Sequence, residues 1–147
     1  MEAGAAKQRT VIIVDDHKAV RQLCRIGLEA AGLRVIEAED GAEAMERIRR
    51  DRPNLILLDI MMPRLTGWDV AAQLLNEPST NDIPIIFISA LTGLHERKRA
   101  SDLGAYDYLN KPLDPAELAK TVTEALDRIE RGDRESLLAE TFGRAVG

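Results

Sequence analysis

Five short apolar runs alternate along this chain with segments whose apolar residues recur every three or four positions. The runs are Thr10-Val-Ile-Ile-Val14, Leu33 to Ala38, Leu55-Ile-Leu-Leu58, Ile83-Pro-Ile-Ile-Phe-Ile88 and Ala105 to Leu109. The first, third and fourth read as strands buried on both faces, the third as an unbroken apolar run bounded by Pro53 and Pro63, and the fifth reads as a short strand. Leu33 to Ala38 is the weakest and is expected at or near a sheet edge. After the first run, Val20, Leu23, Cys24, Gly27, Leu28 and Ala31 predict an amphipathic helix over His17 to Ala31, stopped by Gly32. Asp40-Gly-Ala-Glu43 spells a capping box for a second helix with Ala44, Met45 and Ile48 inward. Thr66 is placed to cap a third, with Val70, Ala71, Leu74 and Leu75 inward and Trp68 packing at the core edge.

The fourth helix, about Thr92 to Leu103, is poor in large apolar residues. Leu94, Ala100 and Leu103 are its best anchors, and Gly104 ends it. Asp114-Pro-Ala-Glu117 combines a capping residue, a proline in the first turn and an acidic third position, a strong start for a fifth helix lined by Leu118, Val122, Ala125 and Ile129. Residues 1–9 are small and polar and read as a flexible arm, 10–131 as one domain, and 132–147 as a tail that is a short helix or disordered. In that tail Leu138, Phe142 and Ala145 could share one stripe. It packs on the domain, seeds a homodimer or continues into a linker; the residues leave all three open, with packing or disorder favoured over dimerisation.

Five alternations of strand and helix imply an α/β fold, a doubly wound parallel sheet with right-handed crossovers and helices on both faces. All strand carboxyl ends then lie along one edge, where ligands bind. The unusual polar groups collect there. Asp15 and Asp16 follow the first run, Asp59 ends the third, Ser89 ends the fourth, and Lys111 follows the fifth.

Composition narrows the chemistry. At 147 residues with 45% hydrophobic and 31% charged positions, this is an ordinary globular chain. A net charge of -5 does not favour direct binding to nucleic acid or to an anionic membrane. No apolar run approaches the ~20 residues that span a bilayer, so membrane insertion is not expected. Residues 1–8 have no signal-peptide core. The single Cys24 excludes an intramolecular disulfide and fits a reducing cytoplasm. On its apolar stripe it reads as a small core residue. One Cys and the isolated His17 and His95 argue against zinc. Three clustered carboxylates repel unless a cation is present, and oxygen ligands suit Mg2+. A carboxylate nucleophile can form an aspartyl-phosphate, with the metal, a hydroxyl and a Lys stabilising the transferred group.

The pieces Val-Ile-Ile-Val-Asp15-Asp16, Leu-Leu-Asp59-Ile-Met-Met-Pro63 with Gly67, Ile-Ser89-Ala90 and Tyr106-Asp-Tyr-Leu-Asn-Lys111-Pro112 resemble the receiver domain of two-component response regulators. Each is weak alone; all in order at family spacing are highly specific. The resemblance spans about Thr10 to Arg131. It implies a flavodoxin-like (βα)5 fold with sheet order 2-1-3-4-5. It implies Asp59 as phosphoacceptor and a Mg2+ site of Asp15, Asp16, Asp59 and the backbone carbonyl of Met61. Ser89, beside Ala90, would bond the phosphoryl oxygen, Lys111 would pair with the acceptor, and Tyr108 would turn inward on activation. The Lys111–Pro112 bond is expected to be cis. The phosphoryl donor would be a sensor histidine kinase or a phosphotransfer protein. A downstream protein would read the face of the fourth helix, fifth strand and fifth helix.

Arg97-Lys98-Arg99 lies on that face and reads more as a solvated basic patch than as a docking site. Met61 and Leu91, second after Asp59 and Ser89, are apolar at positions that border the hydrolytic water in the family, which implies a fairly stable phosphoryl-aspartate. The expected activity is self-phosphotransfer and dephosphorylation only. The alternative is a receiver-like docking module independent of phosphorylation. An aspartate-dependent phosphatase would place a second Asp two residues after Asp59, where Met61 stands. A flavodoxin-like cofactor binder would need a glycine loop where Asp15 and Asp16 stand. With no output domain after the fifth helix, the chain reads as a stand-alone receiver or as one cut from a longer protein.

Overall fold

The computed structural model describes residues 8–138. Phe142 and Ala145, and most of the expected N-terminal arm, lie outside the described residues. The elements are β1 (Thr10–Val14), α1 (Lys18–Ala30), β2 (Arg34–Ala38), α2 (Gly41–Asp51), β3 (Leu55–Asp59), α3 (Gly67–Asn76), β4 (Ile85–Ser89), α4 (Leu94–Asp102), β5 (Asp107–Asn110) and α5 (Pro115–Glu130). The five strands are parallel in the order β2-β1-β3-β4-β5. This is the doubly wound (βα)5 arrangement that the alternation implies. β3 sits at the centre and is buried throughout, as its uninterrupted apolar run requires.

Successive residues of each strand feed opposite faces of the sheet. Ile12, Val14, Ile56, Leu58, Ile85 and Phe87 meet α2, α3 and α4 on one face. Val11, Ile13, Leu55, Leu57, Ile86 and Ile88 meet α1 and α5 on the other. Each large aliphatic side chain buried this way contributes roughly 1.5–3 kcal/mol. Gly27 lets α1 approach α5: a Cβ there would lie 2.4 Å from the Pro115 carbonyl oxygen.

Several boundaries and faces differ from the sequence reading. β4 begins two residues later than expected. Pro84 has no N–H to give the ladder, though its carbonyl still accepts from Ile56 N at 2.9 Å. In α1, Leu23 is exposed rather than inward, as is Leu75 in α3. In α4, Leu94 is 71% exposed and does not anchor the helix. Ala100 is the only buried residue of α4, with Leu103 partly buried behind it. The capping box at Asp40 is half formed. Asp40 accepts from Glu43 N, but the Glu43 side chain reaches back to Glu39 N instead of the cap itself. Thr66 and Asp69 form the reciprocal box completely. Thr80, in what reads as a polar turn, is buried and donates to Leu74 O at 2.8 Å, tying the turn to the end of α3.

After α5 the chain turns back beneath the sheet. Ser136 Oγ donates to Ala105 O, Leu137 N donates to Tyr106 O, and Leu138 is buried in the core. Of the three fates left open for Leu138, packing on the domain is the one adopted.

Candidate functional site

The carboxyl ends of β1, β3, β4 and β5 bring the sequence-selected groups together. Asp15 follows β1 and is fully buried. Asp59 closes β3 and is 1% exposed, and Ser89 closes β4, also buried. Lys111 comes one residue after β5, held by its N–H to Ser89 O at 2.8 Å. Its ammonium lies 2.8 Å from Asp15 Oδ2 and 3.3 Å from Asp59 Oδ1, so one cation bridges two strand ends. The Lys111–Pro112 peptide bond is cis.

Burial first, then the neighbouring Asp15 carboxylate, pushes Asp59 up to about 6, against the opposing pull of Lys111. Burial alone would lower Lys111; the Asp15 and Asp59 carboxylates outweigh it and hold the ammonium above its ordinary value. The site is therefore a pair of buried carboxyl groups, Asp15 and Asp59, held by one ammonium, with Asp16 beside it. Asp59 Oδ2 has no hydrogen-bond partner among the described residues. A buried anionic oxygen in that state is costly unless a cation or a donor meets it.

The donor set fits Mg2+. Asp15, Asp16 and Asp59 offer hard oxygens at one place, and such a cation offsets the repulsion among them. Met61 follows in the exposed loop after β3, its side chain 61% exposed. Gly67 packs against the back of this loop: a Cβ there would sit 2.4 Å from Asp59 O and 2.8 Å from Ile60 Cα. Burial pushes the Cys24 thiol up to about 12, which leaves it an inert core group.

Ser89 Oγ accepts from Leu91 N at 3.0 Å. Ala90, between them, is exposed and lines an apolar recess with Val20, Leu23, Lys111, Pro112 and Leu113. Tyr108 is 2% exposed. Its ring already lies inside, where its hydroxyl donates to Leu91 O at 2.7 Å. Asn110 Nδ2 donates to the same carbonyl at 2.9 Å. Arg97 of α4 donates to Asn110 Oδ1 at 2.6 Å, and its guanidinium lies 5.1 Å from the Tyr108 ring centre.

The sequence reading missed this clasp. Asn110 carried no role in it, and Arg97 read as one of three solvated cations. In the fold all three cations have partners, since Lys98 pairs with Asp102 and Arg99 lies over the Trp68 ring. Trp68 itself packs on Phe87 with ring centres 4.8 Å apart, the core-edge role expected of it.

The response regulator receiver domain model matches residues 11–123. Response regulator MprA of Mycobacterium leprae is 39% identical over 132 residues, 90% of this chain and 57% of that protein. A probable transcriptional regulator, ycf27, of Porphyridium aerugineum is 35% identical over 132 residues, 90% of this chain and 54% of that protein. The chain thus spans just over half the length of these relatives. A putative response regulator from Chloroflexus aurantiacus superposes with a TM-score of 0.77 at 31% identity, covering 83% of this chain and all of that one. Vibrio cholerae chemotaxis protein CheY4 superposes with a TM-score of 0.75 at 29% identity, covering 80% of this chain and 98% of that one.

Proposed function

The chain belongs to the response regulator receiver domain family of two-component systems, and from that premise we propose that it accepts a phosphoryl group on Asp59. The donor is a phosphohistidine on a sensor histidine kinase or a phosphotransfer protein. The P–N bond breaks, an Asp59 oxygen takes the phosphoryl group, and the donor imidazole leaves. The observation that carries this reading is one ammonium, Lys111, shared by Asp15 and a buried Asp59 that still has an oxygen without a partner among the described residues.

Each residue then has a task. Asp59 is mostly ionised near neutral pH, because its proton leaves at about 6, and is therefore nucleophilic there. Lys111 neutralises charge that grows on the phosphoryl oxygens. Ser89 accepts from Leu91 N and bonds the Tyr108 hydroxyl, and its hydrogen would turn from that oxygen to the phosphoryl group. Asp15 and Asp16, with Asp59 and the Met61 carbonyl, would hold Mg2+, which supplies Lewis-acid stabilisation of the transferring group. The same site, with water as acceptor, returns Asp59 to its carboxylate. No other reaction is assigned to the chain.

The output runs through α4, β5 and α5 to a protein partner. Phosphorylation adds about -1.5 to -2 charges beside Ser89. Movement of Ser89 drags Leu91, whose carbonyl carries Tyr108 and Asn110, and through Asn110 the α4 residue Arg97. The α4 helix, with one buried side chain, is the part of the fold least held by apolar packing and the natural two-state element. Beryllofluoride, a phosphoryl mimic, tests the site. With Mg2+ it should bind once and shift the amide resonances of Ser89, Leu91 and Tyr108. Binding that persists in Asp59→Asn would contradict the assignment.

A further inference from the structure

His17 stands just outside the three carboxylates and has no task in the phosphotransfer described above. The sequence reading set it aside as isolated. The fold puts its Nδ1 3.3 Å from Asp15 Oδ1 and 3.2 Å from Asp16 Oδ1. One ligand atom each from Asp15, Asp16, His17 and Asp59 falls within 4.8 Å of the others. His17 occupies the capping position of α1, yet its side chain makes no capping hydrogen bond. The ring is 67% exposed, and its polar contacts are with the two carboxylates. An N-cap is a place where Ser, Thr, Asp or Asn would satisfy the helix better.

Adjacent ligands of an octahedral ion with bonds near 2.1 Å stand about 3 Å apart. The separations of Nδ1 from Asp15 and Asp16 match that spacing. Asp59, 1% exposed with Oδ2 lacking a partner among the described residues, independently marks the same point as one that a cation completes. A site of carboxylates alone suits Mg2+, whereas an imidazole nitrogen suits the borderline transition metals.

We propose that His17 is a nitrogen ligand that raises the affinity of the Asp15, Asp16 and Asp59 site for a borderline divalent transition metal ion such as Ni2+ or Co2+ relative to Mg2+. This rests on the reading of the three carboxylates as a cation site. The imidazole binds through Nδ1, which leaves Nε2–H on the solvent side. Mg2+ makes no use of the ring, so His17 sets the selectivity of the site without entering its Mg2+ chemistry.

The test is calorimetric titration of untagged protein with NiCl2 and, separately, MgCl2. The variants are His17→Ala and His95→Ala, which alters the only other histidine of the chain. His17→Ala should weaken Ni2+ by about tenfold or more and leave the Mg2+ affinity within about twofold, since Mg2+ takes oxygen ligands. His95→Ala should change neither. The Co2+-loaded wild type should also show one exchangeable, hyperfine-shifted imidazole N–H proton that is lost only in His17→Ala. If Mg2+ binds and Ni2+ affinity is unaffected by His17→Ala, the ring is merely a counter-ion to the carboxylates and the proposal falls. If wild-type protein binds neither ion, the carboxylate site itself is misassigned.

Discussion

Replacing Asp59 by Asn should stabilise the metal-free protein at neutral pH. The carboxyl is buried at the end of β3 and releases its proton at about 6, against an ordinary value of 3.8. Ionising it in the folded state at pH 7.5 therefore costs about 3 kcal/mol relative to ionising it in the unfolded chain. Asn keeps the shape without the charge, so it escapes this cost, and Lys111 retains Asp15 as its partner at 2.8 Å.

The direction with pH follows from proton counting. Between about pH 4 and pH 6 the folded state holds more protons at Asp59 than the unfolded state does. Its contribution to stability is thus fully present below about pH 4 and is lost as pH rises through 6. In urea denaturation with EDTA, Asp59→Asn should exceed wild type by about 2–3 kcal/mol at pH 7.5, or roughly 6–12 °C in Tm for a chain of this size. The difference should shrink as pH falls through 6 towards 4. Mg2+ should raise wild type far more than the variant and narrow the gap. A variant no more stable than wild type at pH 7.5 would refute the reasoning, as would a gap independent of pH.

Three further expectations follow from the packing. Gly67→Ala places a Cβ 2.4 Å from the backbone oxygen of Asp59; it should cost about 1–3 kcal/mol in urea and slow phosphorylation, and a neutral outcome in both would contradict the close approach. Arg97→Ala should speed amide exchange across residues 91–103 because it cuts the clasp to Asn110 and Tyr108, whereas Lys98→Ala removes only a surface pair with Asp102; equal effects would show that the clasp holds nothing. The phosphoryl group should persist for minutes or longer in Mg2+, since neither Met61 nor Leu91 can orient water by hydrogen bonding, and decay in seconds would overturn that expectation.

β1, β3 and β4 were legible because strands buried on both faces have no alternation to misread, only short apolar runs. The site was legible for a related reason. A parallel sheet sends every strand end to one edge, so Asp15, Asp59, Ser89 and Lys111 could be gathered from order alone. What periodicity did not convey was depth at the margins. Leu94 occupies an apolar position on a helix that has almost no apolar partner, and it stays in solvent. Arg97 looks like Lys98 and Arg99 in sequence, yet its position opposite Asn110 and Tyr108 makes it part of the clasp. Long polar side chains reach across elements, and no local pattern encodes where they land. His17 was set aside for a different reason: it was weighed only against other His and Cys, although the carboxylates it meets are its neighbours Asp15 and Asp16.

The central claim is that Asp59 accepts a phosphoryl group. Its most direct test is the intact mass of the protein after incubation with acetyl phosphate, with and without Mg2+, for wild type and Asp59→Asn. The account predicts a single Mg2+-dependent phosphoryl adduct on wild type and none on the variant. No adduct on folded wild type that binds Mg2+, or an adduct that survives in Asp59→Asn, would contradict it.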